Sequence, residues 1–250
     1  MKKLLIFLVV WPLKLHAQPD FVSLQQSWVD SLNTGASVSS FYWEDRNLIY
    51  SVNESSFADS VTHLVLSEEM TGLEDYEHLD TFRHDDSRYI TIGILSSKTN
   101  SMLLFTGWRD VDGDWKKEID GILIRQADQL LISNELSQSI DKQREDWVTL
   151  ANQHDPLSHI NTLYSEGATY FSNGQLSEGR AEIVERYVYM ENPNYQVDLE
   201  KEKLWLVSDE QILEVGRYFT GPERIGVGGI YVILWEQIDD RWVIALDFNF

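Results

Sequence analysis

Two carboxylates near the carboxyl end of the chain have the surroundings of groups that transfer protons. Glu214 alternates with Tyr218 on one predicted strand, and Asp247 alternates with Ala245 and Asn249 on the last one. Residues two apart on a strand share a face. An acid beside tyrosines in an apolar pocket can act as a general acid or base, so both are candidate catalytic residues. The simpler interpretation is structural: Asp247 holds a loop or helix end by hydrogen bonds, and Glu214 is half solvated.

Aromatic side chains in the same half of the chain suit an apolar or planar ligand. Cores and ligand pockets are built from the same residue types, so each ring has a core interpretation beside the pocket one. The candidate pocket residues are Tyr164, Tyr170, Trp205, Tyr218, Tyr231 and Trp235.

Motifs for metals and cofactors are missing from the sequence. His154 and His159 have no third ligand at metal spacing, and the chain has no cysteine. Asp110–Trp115 has the start of a calcium loop but lacks the glycine and closing glutamate at their required places, so it predicts a hairpin turn. With no glycine-rich phosphate loop or nucleophile elbow either, we expect no metal and no cofactor.

The first seventeen residues are typical of a secretory signal peptide. A basic start at positions 2–3 precedes an apolar run, Leu4–Trp11, and a small-residue cleavage site that ends at Ala17. Pro12 and Lys14 interrupt the run, which is shorter than the ~20 residues of a membrane-spanning helix. We predict cleavage after Ala17 and a periplasmic or secreted protein without membrane insertion after processing.

The net charge disfavours nucleic acid as a partner. The full chain carries 20 Lys and Arg against 41 Asp and Glu, a formal charge of −21, and cleavage after Ala17 makes it −24. Phosphate backbones are bound by clustered cations, and no such cluster exists here. The acidity predicts a solvated surface that resists aggregation.

An internal repeat organises the chain. In each half, two tryptophans lie seven residues apart and an aspartate follows five residues after the second. These are Trp108, Trp115 and Asp120 in the first half, and Trp235, Trp242 and Asp247 in the second. Upstream, FYWEDRNLIY and TIGIL in the first half correspond to LYSEGATYF and EVGRYF in the second. The same structural unit is therefore predicted twice.

Local patterns predict an α+β fold in each copy. In the second copy, Asp155 caps a helix whose first turn holds Pro156, and alternation after Pro193 indicates an antiparallel meander. Hairpin turns are predicted at Asp239-Asp240 and Asp112-Gly113. The predicted helices are 143–153, 157–164 and 177–189, and the predicted strands are 168–171, 195–207, 211–219, 229–237 and 241–248.

These patterns divide the chain into four parts. Residues 1–17 form the signal peptide and 18–127 a diverged first domain. Residues 128–140 form a linker, which is predicted to be helical because the leucine-rich stretch lacks proline and glycine. Residues 141–250 form the second domain, which carries the predicted pocket. These two domains are called the first and second copies below.

The quoted motifs, with SEGRAEIVERY and IYVILWEQIDDRWVIALDFN, resemble the nuclear transport factor 2-like superfamily, in particular its SnoaL-like branch. The resemblance implies two tandem cone-shaped domains, each a curved antiparallel sheet wrapped around about three helices, with a pocket at the wide end. Isomerase-like members of that superfamily carry a general base on the first strand. Neither Gly167–Gln175 nor its first-copy counterpart Arg46–Asn53 contains a carboxylate, which weighs against isomerase chemistry.

Three hypotheses on function follow. The second copy binds a small, mostly apolar molecule; or it is an isomerase, cyclase or dehydratase that uses Glu214 or Asp247; or the protein is a ligand-free interaction or scaffold protein. In the third case the two copies pack sheet to sheet as an internal pseudo-dimer, with a homodimer as the other arrangement. Because fold does not define function, the geometry of the site has to decide.

Overall fold

The computed structural model describes residues 19–43, 49–51, 56–58, 72–98, 100–126 and 131–250. The predicted signal peptide lies outside the described residues, as does most of Arg46–Asn53.

The described part of the first copy contains one α-helix and six strands. The helix α1 is Phe21–Thr34, and a short 3-10 helix follows at Ser39–Phe41. The strands are β1 Ile49–Ser51, β2 Ser56–Ala58, β3 Leu73–Arg83, β4 Arg88–Ser97, β5 Ser101–Val111 and β6 Asp114–Ile124.

The second copy contains three α-helices and six strands. The helices are α2 Asn134–Ala151, α3 Pro156–Leu163 and α4 Gly179–Arg186, with a 3-10 helix at Val188–Glu191. The strands are β7 Tyr164–Ser172, β8 Gln175–Glu178, β9 Val197–Ser208, β10 Gln211–Thr220, β11 Gly228–Ile238 and β12 Arg241–Asn249.

Both copies have the same strand order. The first sheet runs β2-β1-β6-β5-β4-β3 and the second β8-β7-β12-β11-β10-β9. In each, four long strands form an antiparallel meander whose last strand pairs in parallel with the first strand of the copy. The predicted α+β class and tandem arrangement are confirmed, with each sheet mixed at this one strand pair.

Turn and cap residues explain where the elements end. Asp155 accepts the Ser158 amide at the start of α3, with Pro156 in the first turn, as predicted. The Asp239-Asp240 and Asp112-Gly113 turns both have positive φ at their two central residues, the geometry that matches strand twist in a two-residue hairpin.

The predicted linker is only partly helical. In the described residues, α2 begins at Asn134, and Ser133 has extended backbone and accepts the Leu136 amide. Positions 131–133 are therefore not helical, because a serine N-cap starts the helix there. No helix of the described residues is long and apolar enough to cross a membrane.

Two of the hydrophobic cores in the described residues position the second sheet. One lies between the second sheet and its helices and contains Trp147, Tyr164 and Trp235. The other lies between the two sheets, where Phe105 of the first copy meets Phe248 of the second with ring centroids 5.5 Å apart. The two sheets thus pack face to face, which leaves the opposite face of the second sheet for the site.

Candidate ligand site

A cavity of about 380 Å³ lies between the second sheet and the helices that cover it. Most of its wall is aromatic. The rings belong to Trp147, Tyr170, Tyr187, Tyr189, Tyr195, Tyr218 and Tyr231. Its size and aromatic lining are those of pockets for small organic molecules.

Asp247 of β12 lies in the cavity wall and is almost fully buried, with 2% of its surface exposed. The Tyr164 and Tyr187 hydroxyls each donate to Oδ2 at 2.6 Å, and the Asn249 amide donates to Oδ1 at 3.0 Å. Burial raises the pKa of this carboxyl above its usual value, and the three donors oppose that rise. The arrangement is a buried acid tied into a tyrosine cluster.

Local structure brings this cluster together. Tyr164 is the first residue of β7, which pairs in parallel with β12, and Tyr187 follows the last turn of α4. The Trp147 indole of α2 donates to the Tyr164 hydroxyl at 3.2 Å. His159 of α3 packs edge-on against Trp147, Tyr164 and Tyr187. Burial lowers the pKa of His159 to about 3, so this ring is neutral at physiological pH.

Glu214 has a different environment from Asp247. It is fully buried, and it accepts hydrogen bonds from Arg144, Tyr231 and Trp235, each at 2.7 Å. The expectation that Glu214 is half solvated is therefore wrong, because the Arg144 guanidinium of α2 covers it. Glu214 lies behind Tyr231 and does not line the cavity. Its geometry indicates a structural ion pair.

The candidate pocket residues divide into three groups. Tyr170, Tyr218 and Tyr231 line the cavity. Tyr164 and Trp235 lie behind its wall and hold Asp247 and Glu214, respectively. Trp205 lies on the opposite face of the sheet, where its ring meets Phe82 of the first copy edge-on at 6.0 Å. Trp205 therefore does not line this cavity.

Sequence reasoning missed the tyrosines that follow α4. Tyr187, Tyr189 and Tyr195 all line the cavity, and Tyr187 bonds directly to Asp247. Tyr189 and Tyr195 lie in an irregular segment, Val188 to Gln196, around a 3-10 helix, so neither helical nor strand periodicity marks them, and Tyr187 was interpreted only as part of a predicted helix. The signal that remains is three tyrosines within nine residues at positions 187–195.

The first copy has an equivalent buried acid, Asp120, but this acid has a charged partner that Asp247 does not have among the described residues. Asp120 is fully buried and accepts from the Tyr42 hydroxyl at 2.5 Å, as Asp247 accepts from Tyr164. Tyr42 lies opposite Lys117 in a parallel bridge, whereas Tyr164 lies opposite Ile244. Lys117 thus occupies the position equivalent to Ile244.

This substitution places a cation against the first-copy acid. The Lys117 ammonium lies 2.9 Å from Asp120 and 3.6 Å from the centre of the Trp28 ring. Burial lowers the pKa of Lys117 to about 8, while the neighbouring Asp120 acts in the opposite direction. Asp120 therefore has a fixed internal cation, which Asp247 lacks.

No metal site is formed by the described residues, since no three of their His, Asp or Glu side chains cluster. His154 contacts the Met190 carbonyl oxygen at 3.0 Å, and His159 lies among aromatic rings. The predicted hairpin at Asp110–Trp115 is present as the β5–β6 turn.

Comparison with known proteins gives structural matches only. No family model and no curated protein matches the sequence. The matching solved structures include an NTF-2-like protein and a ketosteroid isomerase-like protein.

Three of these structures illustrate the likeness. An NTF-2-like protein of unknown function from Shewanella oneidensis is 24% identical (TM-score 0.38), over 46% of this chain and 96% of its own. A ketosteroid isomerase-like protein from Erwinia carotovora is 16% identical (TM-score 0.37), over 47% of this chain and 96% of its own. A domain of unknown function with a cystatin-like fold from Nostoc punctiforme is 14% identical (TM-score 0.41), over 47% of this chain and 78% of its own. At this level of similarity, none of them bears on activity.

Proposed function

We propose that the second copy binds a small, mostly apolar molecule in the cavity beside Asp247. The observation that carries this proposal is the cavity itself, about 380 Å³ in volume, with seven aromatic rings in its wall. Aromatic walls contribute apolar contact at little cost in side-chain entropy, and the few polar groups orient the ligand.

Binding of N-phenyl-1-naphthylamine, a neutral aromatic probe, tests the proposal. We expect saturable binding, with energy transfer from Trp147 in the cavity wall to the probe. Leu199 also lines the cavity, so Leu199→Trp should fill it and weaken binding at least about tenfold. Asp209→Trp, which adds an indole at the exposed β9–β10 turn, is the matched control and should bind like the wild type. Equal binding by all three proteins would refute the proposal.

A second candidate function is acid–base catalysis by Asp247, and one observation favours it. A carboxylate has about four acceptor positions, and three of those on Asp247 are used by Tyr164, Tyr187 and Asn249. One position on Oδ1 remains for a proton of a bound molecule, and the raised pKa of the carboxyl suits proton exchange.

Solvent-deuterium exchange into 2-tetralone, followed by NMR, tests this second function. A base beside the bound ketone should accelerate exchange at the carbon next to the carbonyl, and Asp247→Asn should remove the acceleration. Asp120→Asn, the equivalent change in the first copy, should leave it unchanged. Acceleration that survives Asp247→Asn would rule out Asp247 as the base.

We also propose that the protein is exported. The basic start, the apolar run and the site at Ala17 support a protein that is secreted or periplasmic. The mass of the mature protein from its own source tests this, since cleavage would leave Gln18 as the first residue. An intact mass that includes residues 1–17 would contradict it.

We further propose that the face-to-face sheets act as an internal pseudo-dimer. Besides the aromatic contact of Phe105 with Phe248, Lys203 pairs with Asp80 across the copies at 2.5 Å. A chain that covers its own sheet face in this way should be monomeric, which light scattering during gel filtration would measure. A stable dimer would favour the homodimer alternative.

A further inference from the structure

One cationic side chain, Arg186, lines the cavity in the described structure. It belongs to the last turn of α4 and is half-buried. Its guanidinium donates to the Gln175 side chain at 2.5 Å. Among the residues that the structure describes, no carboxylate lies within ion-pair distance of it.

Three other arginines in the second copy, Arg224 among them, are paired with acids, whereas Arg180 donates to the Tyr164 carbonyl oxygen. Arg144 pairs with Glu214 and Asp141, and Arg217 pairs with Glu202. The chain has twice as many acidic as basic residues, so carboxylate partners are abundant. A guanidinium in the cavity wall whose described partner is a neutral amide keeps most of its donors for another group.

The polar groups beside Arg186 suit an anion. Ser172, Asn173 and Asn249 line the same cavity and can donate hydrogen bonds. Asp247 would repel an anion that approached it closely, so the uncharged part of a ligand would face Asp247. Both charges act on Tyr170: Asp247 raises its pKa and Arg186 lowers it, although burial is the largest cause of its shift to about 12. The cavity wall therefore carries one cationic and one anionic side chain, Arg186 and Asp247.

We propose that the cavity selects an aromatic or apolar molecule that carries one anionic group, and that Arg186 binds this group. The inference rests on the proposed binding function and names its ligand class. Arginine suits this role because its planar donors match carboxylate and sulfonate oxygens.

A matched pair of probes tests the inference. 8-Anilino-1-naphthalenesulfonate has the same ring system as N-phenyl-1-naphthylamine and adds one sulfonate. We expect Arg186→Gln to weaken binding of the sulfonate probe about tenfold, as for a lost hydrogen-bonded charge pair, and to change binding of the neutral probe less than about twofold. Added salt should weaken sulfonate binding to the wild type more than to Arg186→Gln.

Two further variants serve as controls for Arg186→Gln. Arg186→Lys keeps the charge and should retain part of the preference for the sulfonate. Arg241→Gln removes an exposed arginine that does not line the cavity, so it should behave like the wild type. Unchanged sulfonate binding in Arg186→Gln, or an equal loss for both probes, would overturn the inference.

The failure of this inference is distinguishable from that of the proposed function. If the neutral probe does not bind, or binds equally well to Leu199→Trp, the cavity is not a ligand site and both fail. If the neutral probe binds in the cavity and Arg186→Gln has no effect on the sulfonate probe, only the anion inference fails.

Discussion

Replacing Tyr187 by phenylalanine should destabilise the protein mainly through Asp247. The Tyr187 hydroxyl donates to a buried carboxylate oxygen at 2.6 Å, and phenylalanine keeps the ring while removing this donor. A hydrogen bond to a charged group contributes about 1.5–3 kcal/mol, and one between neutral groups about 0.5–1.5 kcal/mol. Tyr187→Phe should therefore cost about 2 kcal/mol in the wild type but about 1 kcal/mol in an Asp247→Asn background.

The loss of stability caused by Tyr187→Phe should also depend on pH. Burial raises the pKa of Asp247 in the folded protein, so the folded state binds this proton more tightly than the unfolded chain. The contribution to stability is fully present below the unfolded pKa and is lost as the pH rises through the folded pKa. The Tyr187 bond limits that loss by stabilising the ionised form. Tyr187→Phe should thus cost more at pH ~7 than at pH ~3.

Urea denaturation followed by tryptophan fluorescence and circular dichroism measures these free energies of unfolding. Tyr218→Phe is the control, since the Tyr218 hydroxyl lies 3.4 Å from the Phe250 carbonyl oxygen and does not contact Asp247. Its cost should be independent of the Asp247→Asn background. A Tyr187→Phe cost that is the same at both pH values and in both backgrounds would refute the account of the tyrosine cluster.

Three further changes test the fold around the site. Phe248→Ala should lower the free energy of unfolding by about 3–5 kcal/mol in urea denaturation, because the ring is buried between the two sheets; a loss under ~1 kcal/mol would contradict this packing. Lys117→Met should cost about 3–5 kcal/mol because it leaves Asp120 buried without its cation, and adding Asp120→Asn should restore much of that; no restoration would contradict a paired charge. Gly121→Ala should lower the melting temperature, because a Cβ there would lie 1.9 Å from the Phe105 ring, and an unchanged melting temperature would contradict that contact.

The meander of the second copy could be predicted from the sequence to within two residues at each strand end. The alternation of apolar and polar residues indicates the strands, and the two-residue turn at Asp239-Asp240 marks the boundary between the last two. The helical linker was predicted to begin at 128, whereas positions 131–133 are not helical and α2 begins at Asn134, because a leucine-rich stretch without proline or glycine does not show which residue caps the helix. The predicted third helix was too long: Gln175–Glu178 pairs with β7 as a strand, and Gly179 has positive φ at the start of α4.

The candidate site could be predicted in part. The recurrence of Asp120 and Asp247 after paired tryptophans identified two equivalent acids, and both lie buried on the last strand of their copy. The partners of each acid could not be predicted. Tyr187 reaches Asp247 only through the packing of a distant segment, and Lys117 lies three residues before Asp120 on β6, a spacing that simple alternation assigns to opposite faces. Alternation also cannot tell which face of a sheet meets another sheet, which is why Trp205 was expected in the cavity.

The most direct test of ligand binding in the second copy is an NMR titration of the tryptophan indole signals with N-phenyl-1-naphthylamine. Trp147 lines the cavity, and Trp28 is its first-copy equivalent beneath Lys117. The signals are assigned by Trp147→Phe and Trp28→Phe. We predict a saturable shift of the Trp147 signal while that of Trp28 stays fixed. A shift of Trp28 alone, or of neither while the probe binds, would contradict the central claim.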